Sequence, residues 1–261
     1  AYRVPEAGRA SQGRPIVNLF ELGPEERVQG LLALSSLDVD DLAIVTFTER
    51  GLVKRTEISQ YANIRAGGII ALGLEEGDRL IAVHLAGLED ELFMATRDGQ
   101  AIRFKSSDAR LMGRPARGVR GIGLREGDRV VSAVVLREEP SILTVTSGGY
   151  GKRTVVEDYR GQGRGGLGLI NLKATERTGK VVAALKVEDD DEIIVATRLG
   201  KLIRTPVGAI STLGRNTQGV RVIKLGSDDE VVSVVRAGKV QDEDEPEGLD
   251  SQDQDGESSD A

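Results

Sequence analysis

The sequence predicts an all-β, propeller-like disc built from four-stranded repeats of about 50 residues, and three observations predict it. The first is a hairpin phrase: Thr, two residues, Gly, three residues, Arg. It reads Thr48-Glu-Arg-Gly51-Leu-Val-Lys-Arg55, Thr96-Arg-Asp-Gly99-Gln-Ala-Ile-Arg103, Thr146-Ser-Gly-Gly149-Tyr-Gly-Lys-Arg153 and Thr197-Arg-Leu-Gly200-Lys-Leu-Ile-Arg204, so the turn glycines lie 48, 50 and 51 residues apart. A period near 50 marks a ring or an array. The second is a glycine followed six residues later by leucine, at Gly13/Leu19, Gly68/Leu74, Gly118/Leu124, Gly166/Leu172 and Gly219/Leu225. The third is the shortness of the Val/Ile/Leu runs, which are bounded by Gly and Asp turns and carry no sustained helical period.

Taken in order, Ala1-Tyr-Arg-Val-Pro5-Glu-Ala7 matches the tail that follows the hairpin in later units, so the chain reads as a fragment beginning inside a repeat. Each hairpin tip needs the positive φ that glycine supplies, and Leu52, Lys54 and Thr56 alternating with Val53 and Arg55 predict an arm with one wetter face. Between the two phrases lie aliphatic runs read as strands, at Arg79–Ala86, Arg129–Leu136, Lys180–Val187 and Glu230–Ala237. The half repeat from Gly219 to Ala237 lacks a hairpin of its own, leaving four full units and a half.

Aromatic residues make up only 3%, so the cores must be aliphatic and modest in size. Cysteine is absent, which excludes disulfides, thiolate catalysis and Cys-based zinc sites. No run approaches the roughly 18 apolar residues of a membrane helix, and no signal peptide is visible. The net charge of −7 conceals two regions: residues 241–261 hold ten of the 42 acidic residues and no basic one, leaving 35 basic against 32 acidic in residues 1–240. The tail is too polar to bury anything and reads as disordered, either solubilising or regulatory.

Within the body the basic residues gather at repeat joints and hairpin arms. The joints carry Arg9, Arg14, Arg65, Arg114, Arg117, Arg120, Arg164, Arg215 and Arg221; the arms carry Lys54, Arg55, Arg103, Lys105, Lys152, Arg153, Lys201 and Arg204. Equivalent positions in a ring of blades occupy equivalent places on its rim, so repetition predicts a basic band suited to a polyanion. The competing reading pairs each arginine with a nearby acid such as Asp78 or Asp128.

The repeats, with Tyr2-Arg-Val-Pro-Glu-Ala, Gly13-Arg-Pro-Ile-Val-Asn-Leu19, Gly118-Val-Arg-Gly-Ile122, Tyr150-Gly-Lys-Arg-Thr154 and Gly214-Arg-Asn-Thr-Gln-Gly219, resemble the C-terminal domain of the bacterial DNA gyrase A protein over residues 1 to about 237. The resemblance implies a β-pinwheel, normally of six blades that exchange strands, with duplex DNA bent around a basic perimeter. It implies a DNA-wrapping domain over residues 1–240, followed by the acidic tail, that supports ATP-dependent negative supercoiling by a type II topoisomerase. The DNA-cleaving tyrosine and its arginine neighbour belong to the N-terminal part of such a protein. ATP and Mg are handled elsewhere in the complex, so no cofactor and no metal are expected in this chain. The implied partners are duplex DNA, the remainder of the gyrase A protein, and the gyrase B protein; the implied setting is the cytoplasm, on the bacterial chromosome. The fragment is expected to be a monomer and the holoenzyme a heterotetramer. One departure stands out. The family's wrapping motif runs Gln, basic, Arg, Gly, Gly, basic, Gly, whereas Gln162-Gly-Arg-Gly-Gly-Leu-Gly168 keeps one of the three basic positions.

Other readings have weaker footing. Gly161-Gln-Gly-Arg-Gly-Gly166 fits a dinucleotide fingerprint but precedes a strand instead of a helix. A glycine-rich loop there suits a phosphate approached by backbone amides and one guanidinium. His84 is the only histidine, and Tyr150 and Tyr159 lack an activating base, so no catalytic residue is assigned. Glu75-Glu-Gly-Asp78 and Arg125-Glu-Gly-Asp128 repeat at one turn, which favours a structural role. The alternatives are the C-terminal domain of the topoisomerase IV counterpart, which binds DNA without full wrapping, and a propeller scaffold for proteins, against which the missing WD and kelch signatures argue.

Overall fold

A computed structural model describes residues 15, 22–23, 26–34, 36, 41–63 and 68–237. Four hairpins carry the repeat: β1 (Ala43–Thr48) with β2 (Leu52–Glu57), β4 (Glu91–Thr96) with β5 (Gln100–Lys105), β8 (Ser141–Thr146) with β9 (Tyr150–Val155), and β12 (Glu192–Thr197) with β13 (Leu202–Pro206). At each tip the phrase explains itself. Gly51 N–H donates to Thr48 O at 3.0 Å and Leu52 N–H donates to the Thr48 hydroxyl at 3.2 Å, and the second and fourth tips repeat both bonds. The tip glycines have φ of 85°, 90°, 77° and 84°.

The inner strands are β3 (Leu80–Ala86), β7 (Val130–Leu136), β11 (Val181–Val187) and β15 (Val231–Ala237), each within one residue of the aliphatic run read from the sequence. Three two-residue strands complete the set: β6 (Val119–Arg120), β10 (Leu169–Ile170) and β14 (Val220–Arg221). The sheet orders are β3-β1-β2-β6, β10-β5-β4-β7, β11-β8-β9-β14 and β13-β12-β15. Each unit therefore contributes a hairpin and an inner strand to one sheet, and units two to four each lend a two-residue strand to the sheet before. Four strands per sheet is correct, but one of the four is borrowed, and the last sheet has three. All ladders between named strands are antiparallel.

Inner strands of successive sheets pack against one another, β3 on β7, β7 on β11 and β11 on β15, and form a seam. Across it His84 Nε2 lies 2.9 Å from Ala133 O, and Ala184 N–H donates to the Ser132 hydroxyl at 2.9 Å. His84 is thus a packing residue, its pKa lowered mainly by burial. The borrowed strands lie at the opposite edge of each sheet, which defines an outer rim.

The core is divided among the junctions between blades. One cluster joins Phe47 and Val53 of the first blade to Leu92, Met94 and Phe104 of the second. Another joins Phe93, Ala95 and Val134 to Ile142 and Tyr159 of the third, and one more joins Leu143 and Val145 to Ile193, Val195 and Val234 of the fourth. Alternation along β4 sends Leu92 and Met94 to one neighbour and Phe93 and Ala95 to the other, so both faces of an interior blade are buried.

Two expectations need correction. β2 has no wet face, because Val53, Lys54, Arg55 and Thr56 are all buried. Strand alternation was overridden by a neighbour on each side. In the third unit the glycine of the second phrase is Gly168, with φ 73°, followed at once by β10, and not Gly166. That restores the spacing of Gly68, Gly118, Gly168 and Gly219 to 50, 50 and 51.

Candidate nucleic-acid interface

The basic residues expected to form a rim divide into three groups by what their donors reach. Five of those on the hairpin arms, Lys54, Arg55, Arg103, Lys152 and Arg153, reach inward. Arg55 Nη1 donates to Ala109 O at 3.3 Å and to Ser106 O at 3.5 Å, the two ends of the 3₁₀ turn that follows the next hairpin. Arg103 repeats this on Val156 O at 2.8 Å and Tyr159 O at 3.2 Å, while its Nε donates to Glu91 at 2.7 Å. Arg153 Nε donates to Ile210 O at 2.7 Å and pairs with Asp189. The phrase arginine therefore clasps each blade to its successor.

Lys54 and Lys152 belong to the same group. Lys54 Nζ donates to Ala71 O and Arg114 O, both at 2.6 Å, and Lys152 Nζ to Gly214 O at 2.5 Å and Arg215 O at 2.6 Å. Both side chains are fully buried, and burial, then the charge of Arg114 or Arg215, lowers each pKa to about 8. Lys54, Arg55, Lys152 and Arg153 are out of reach of a ligand on the rim, and Arg103 is committed to Glu91 and two carbonyls. Their repetition reflects repeated packing.

Joint arginines form the second group, at the outer edge but partly occupied. Arg114 Nη1 donates to Ile70 O at 3.0 Å, Arg164 Nη1 to Arg120 O at 3.2 Å and Arg215 Nη1 to Ile170 O at 2.9 Å. Each pins the carbonyl 50 residues along from the previous one, so each joint is tied to the one before. Arg164 also donates Nε to Asp108 O at 2.8 Å, which fixes the glycine-rich loop.

The third group is exposed. Arg117 pairs with Glu75 at 2.9 Å, Lys105 with Glu89 at 3.2 Å and Arg204 with Glu192. Among the described residues Lys201 Nζ reaches only Lys224 O, at 3.4 Å. Arg120 and Arg221, on the outermost strands β6 and β14, make no ion pair among the described residues. Arg9, Arg14 and Arg65 lie outside the described residues.

Sequence reasoning passed over exposed cations that belong with this third group. Arg110 and Arg160, 50 residues apart and each four residues before a joint arginine, are exposed and carry no ion pair among the described residues, as are Lys173 and Arg177. The interval of 50 was the available signal for the first two. Tyr159 is buried, its hydroxyl donating to Asn171 Oδ1 at 2.6 Å and its ring meeting Phe93 edge-on at 5.0 Å. The repeated turn acids are structural: Asp78 Oδ1 accepts from Arg50 N–H at 2.9 Å, Asp128 Oδ1 from Asp98 N–H at 3.0 Å and Asp229 Oδ1 from Leu199 N–H at 3.1 Å. No group of three His, Cys, Asp or Glu side chains is placed to hold a metal among the described residues, and no helix among them is long and apolar enough to cross a membrane.

Sheets that exchange an outer strand, share cores at their junctions and present unpaired arginine at the far edge define a propeller-type module of the pinwheel kind. The family description "DNA gyrase C-terminal domain, beta-propeller" matches residues 1–35, 43–86, 90–137, 140–188 and 191–237. The chain belongs to that family. It is 50% identical over 224 residues to the DNA gyrase A protein of Streptococcus pneumoniae, covering 86% of this chain and 27% of that protein. It is 42% identical over 223 residues to the Escherichia coli K12 gyrase A protein, covering 85% and 25%. It thus spans about a quarter of the length of these curated relatives. A solved DNA gyrase A C-terminal domain superposes with a TM-score of 0.77 at 30% identity, over 87% of this chain and 75% of that one. A solved C-terminal domain of DNA topoisomerase IV superposes at 0.81 with 25% identity, over 86% and 70%.

Proposed function

We propose that the chain is a duplex-binding module that curves DNA over its outer edge, without reading sequence, as the wrapping part of a gyrase A protein. The observation that carries this is the placement of Arg120 and Arg221 on the outermost strands, with Arg110, Arg160 and Arg177 also exposed and free of carboxylate partners among the described residues. Guanidinium groups along a convex edge contact phosphates and leave base edges unread. Bending a site of 20–30 bp by 40–90° costs about 1–6 kcal/mol, so several such contacts must act together.

On this reading the module presents a bent segment to a DNA gate elsewhere in the same protein, and ATP hydrolysis on the gyrase B protein drives strand passage toward negative supercoils. The chain itself is non-catalytic and needs no cofactor, and it works as one arm of a heterotetramer in the bacterial cytoplasm. Residues 241–261 form a separate acidic tail that competes with DNA for the rim; their deletion tightens duplex binding at low salt, and unchanged affinity would leave the tail a solubility element. The higher TM-score of the topoisomerase IV domain favours a second reading, binding without full wrapping. Ligating nicked plasmid with the chain bound separates the two: wrapping traps a linking difference and simple binding traps none. Affinity for plain duplex should fall steeply between 50 and 200 mM salt. Salt-insensitive binding would remove the phosphate-contact reading altogether.

A further inference from the structure

The structure assigns a notch for a phosphate diester to the outer edge of the third blade, formed by Tyr150, Arg177 and Arg221; it deepens the duplex-binding reading and rests on it. Tyr150 opens β9 and faces Arg221 of β14 across the ladder. The guanidinium carbon of Arg177 stands 4.8 Å from the ring centroid and that of Arg221 5.8 Å, and both arginines donate to the phenol oxygen at 3.4 Å. Arg177 also donates to the Gln218 side chain. A hairpin arm, the 173–180 loop and β14 thus converge on one ring.

Two like charges gathered around a neutral ring repel each other, and neither makes an ion pair among the described residues. An anion arriving between them relieves that repulsion. The hydrogen bond from Arg221, then the charge of Arg177, draws the phenol pKa below its ordinary value, which records the excess positive potential at this spot. Each guanidinium keeps N–H groups not used on tyrosine, and their planar fork matches two phosphate oxygens. Stacking against the ring restricts both side chains before the anion binds, so less rotamer freedom is lost on binding.

The arrangement belongs to one blade. The residue equivalent to Tyr150 is Leu52, facing Arg120, in the first blade and Gln100, facing Ile170, in the second. The notch is open on its outer side, which suits a phosphate carried by a large ligand whose neighbouring phosphates meet other edge arginines. The duplex should therefore be held most firmly at the third blade.

The test measures duplex affinity of the 261-residue chain against salt concentration, with variants at the notch. Tyr150→Leu keeps every charge, so its expected loss of about twofold to fivefold, the worth of an exposed cation–π contact, should leave the salt slope unchanged. Tyr150→Phe, which keeps the ring, should lose less. The Arg177→Gln/Arg221→Gln pair should flatten the log–log salt slope by about 0.9 for each phosphate no longer neutralised. Unchanged melting temperatures show that the variants fold. Parental affinity and slope in Tyr150→Leu and in the arginine pair would overturn the notch while leaving duplex binding standing. An unaltered chain that binds no duplex at low salt would remove both. Inorganic phosphate titrated at constant ionic strength, followed on the Tyr150 ring resonances, gives the remaining arm: saturation at submillimolar phosphate would reassign the site to a small free anion.

Discussion

Blades one to three and blade four carry the same phrase, yet the structure uses it fully only in the first three. Arg55, Arg103 and Arg153 reach carbonyls of the following blade, whereas Arg204 is half exposed and turns back to Glu192 on its own hairpin. A Cβ on Gly51, Gly99 or Gly149 would come within 2.9, 2.2 or 2.7 Å of a carbonyl oxygen of the next unit; on Gly200 it would meet open space. Interior blades bury both faces, but the fourth leaves Leu199, Leu202, Val232 and Val235 exposed by 50–69%. The phrase therefore encodes a junction between blades more than a blade. Its glycine lets the next unit's backbone approach, and its arginine fastens that unit's turn.

The comparison breaks most readily at the junction cores. Phe93→Ala empties a site wholly buried between the second and third blades and should cost about 3–5 kcal/mol in urea unfolding. Leu202→Ala on the uncovered face should change stability by less than about 0.5 kcal/mol. Equal losses at both positions would mean that the fourth blade's face is covered in solution.

Next in size are the clasps. Arg153→Met removes the Ile210 and Asp189 partners of a buried guanidinium and should cost about 2–3 kcal/mol, most of it from the Ile210 carbonyl left without its donor. The same change at Arg204 breaks only an exposed ion pair and should fall within about 0.5 kcal/mol of the parent. Comparable effects of the two changes on the unfolding midpoint would contradict the role given to the phrase arginine.

Most of the fold was legible because strand length, turn chemistry and period all lie on the chain itself. The inner strands were readable from Val131, Val182 and Val232 and their aliphatic neighbours, and the hairpins from Thr and Gly. The exchange of β6, β10 and β14 was not derivable from spacing, since a two-residue strand has no pattern of its own and its partner lies about 70 residues away. The interface was read less well. Repetition along the chain favours basic positions that do the same packing task in every unit. An arginine that donates to carbonyls has a partner any residue can supply, so the sequence cannot show that Arg55 or Arg114 is occupied. Exposed cations such as Arg177 and Lys173 owe nothing to the period, so repetition does not point to them.

The finest division between blades lies in pH. Units one and three place Lys54 and Lys152 where units two and four have Ile102 and Ile203. Each lysine titrates near pH 8 when folded against its ordinary value of 10.5, so between those limits the unfolded chain binds more protons. Folding stability should then rise with pH from about 8 and level off above 10.5, because the cost of burying the ammonium disappears while the neutral amine still donates to both carbonyls. Lys152→Met should remove part of that rise, seen as a smaller upward shift of the urea midpoint between about pH 7.5 and 10 than in the parent, and Ile203→Met in the equivalent position of the fourth blade should leave it intact. An identical pH profile in parent and Lys152→Met would mean that the two short carbonyl contacts hold the ammonium strongly enough to offset its burial, and that the lysine tether is a charged one throughout this range.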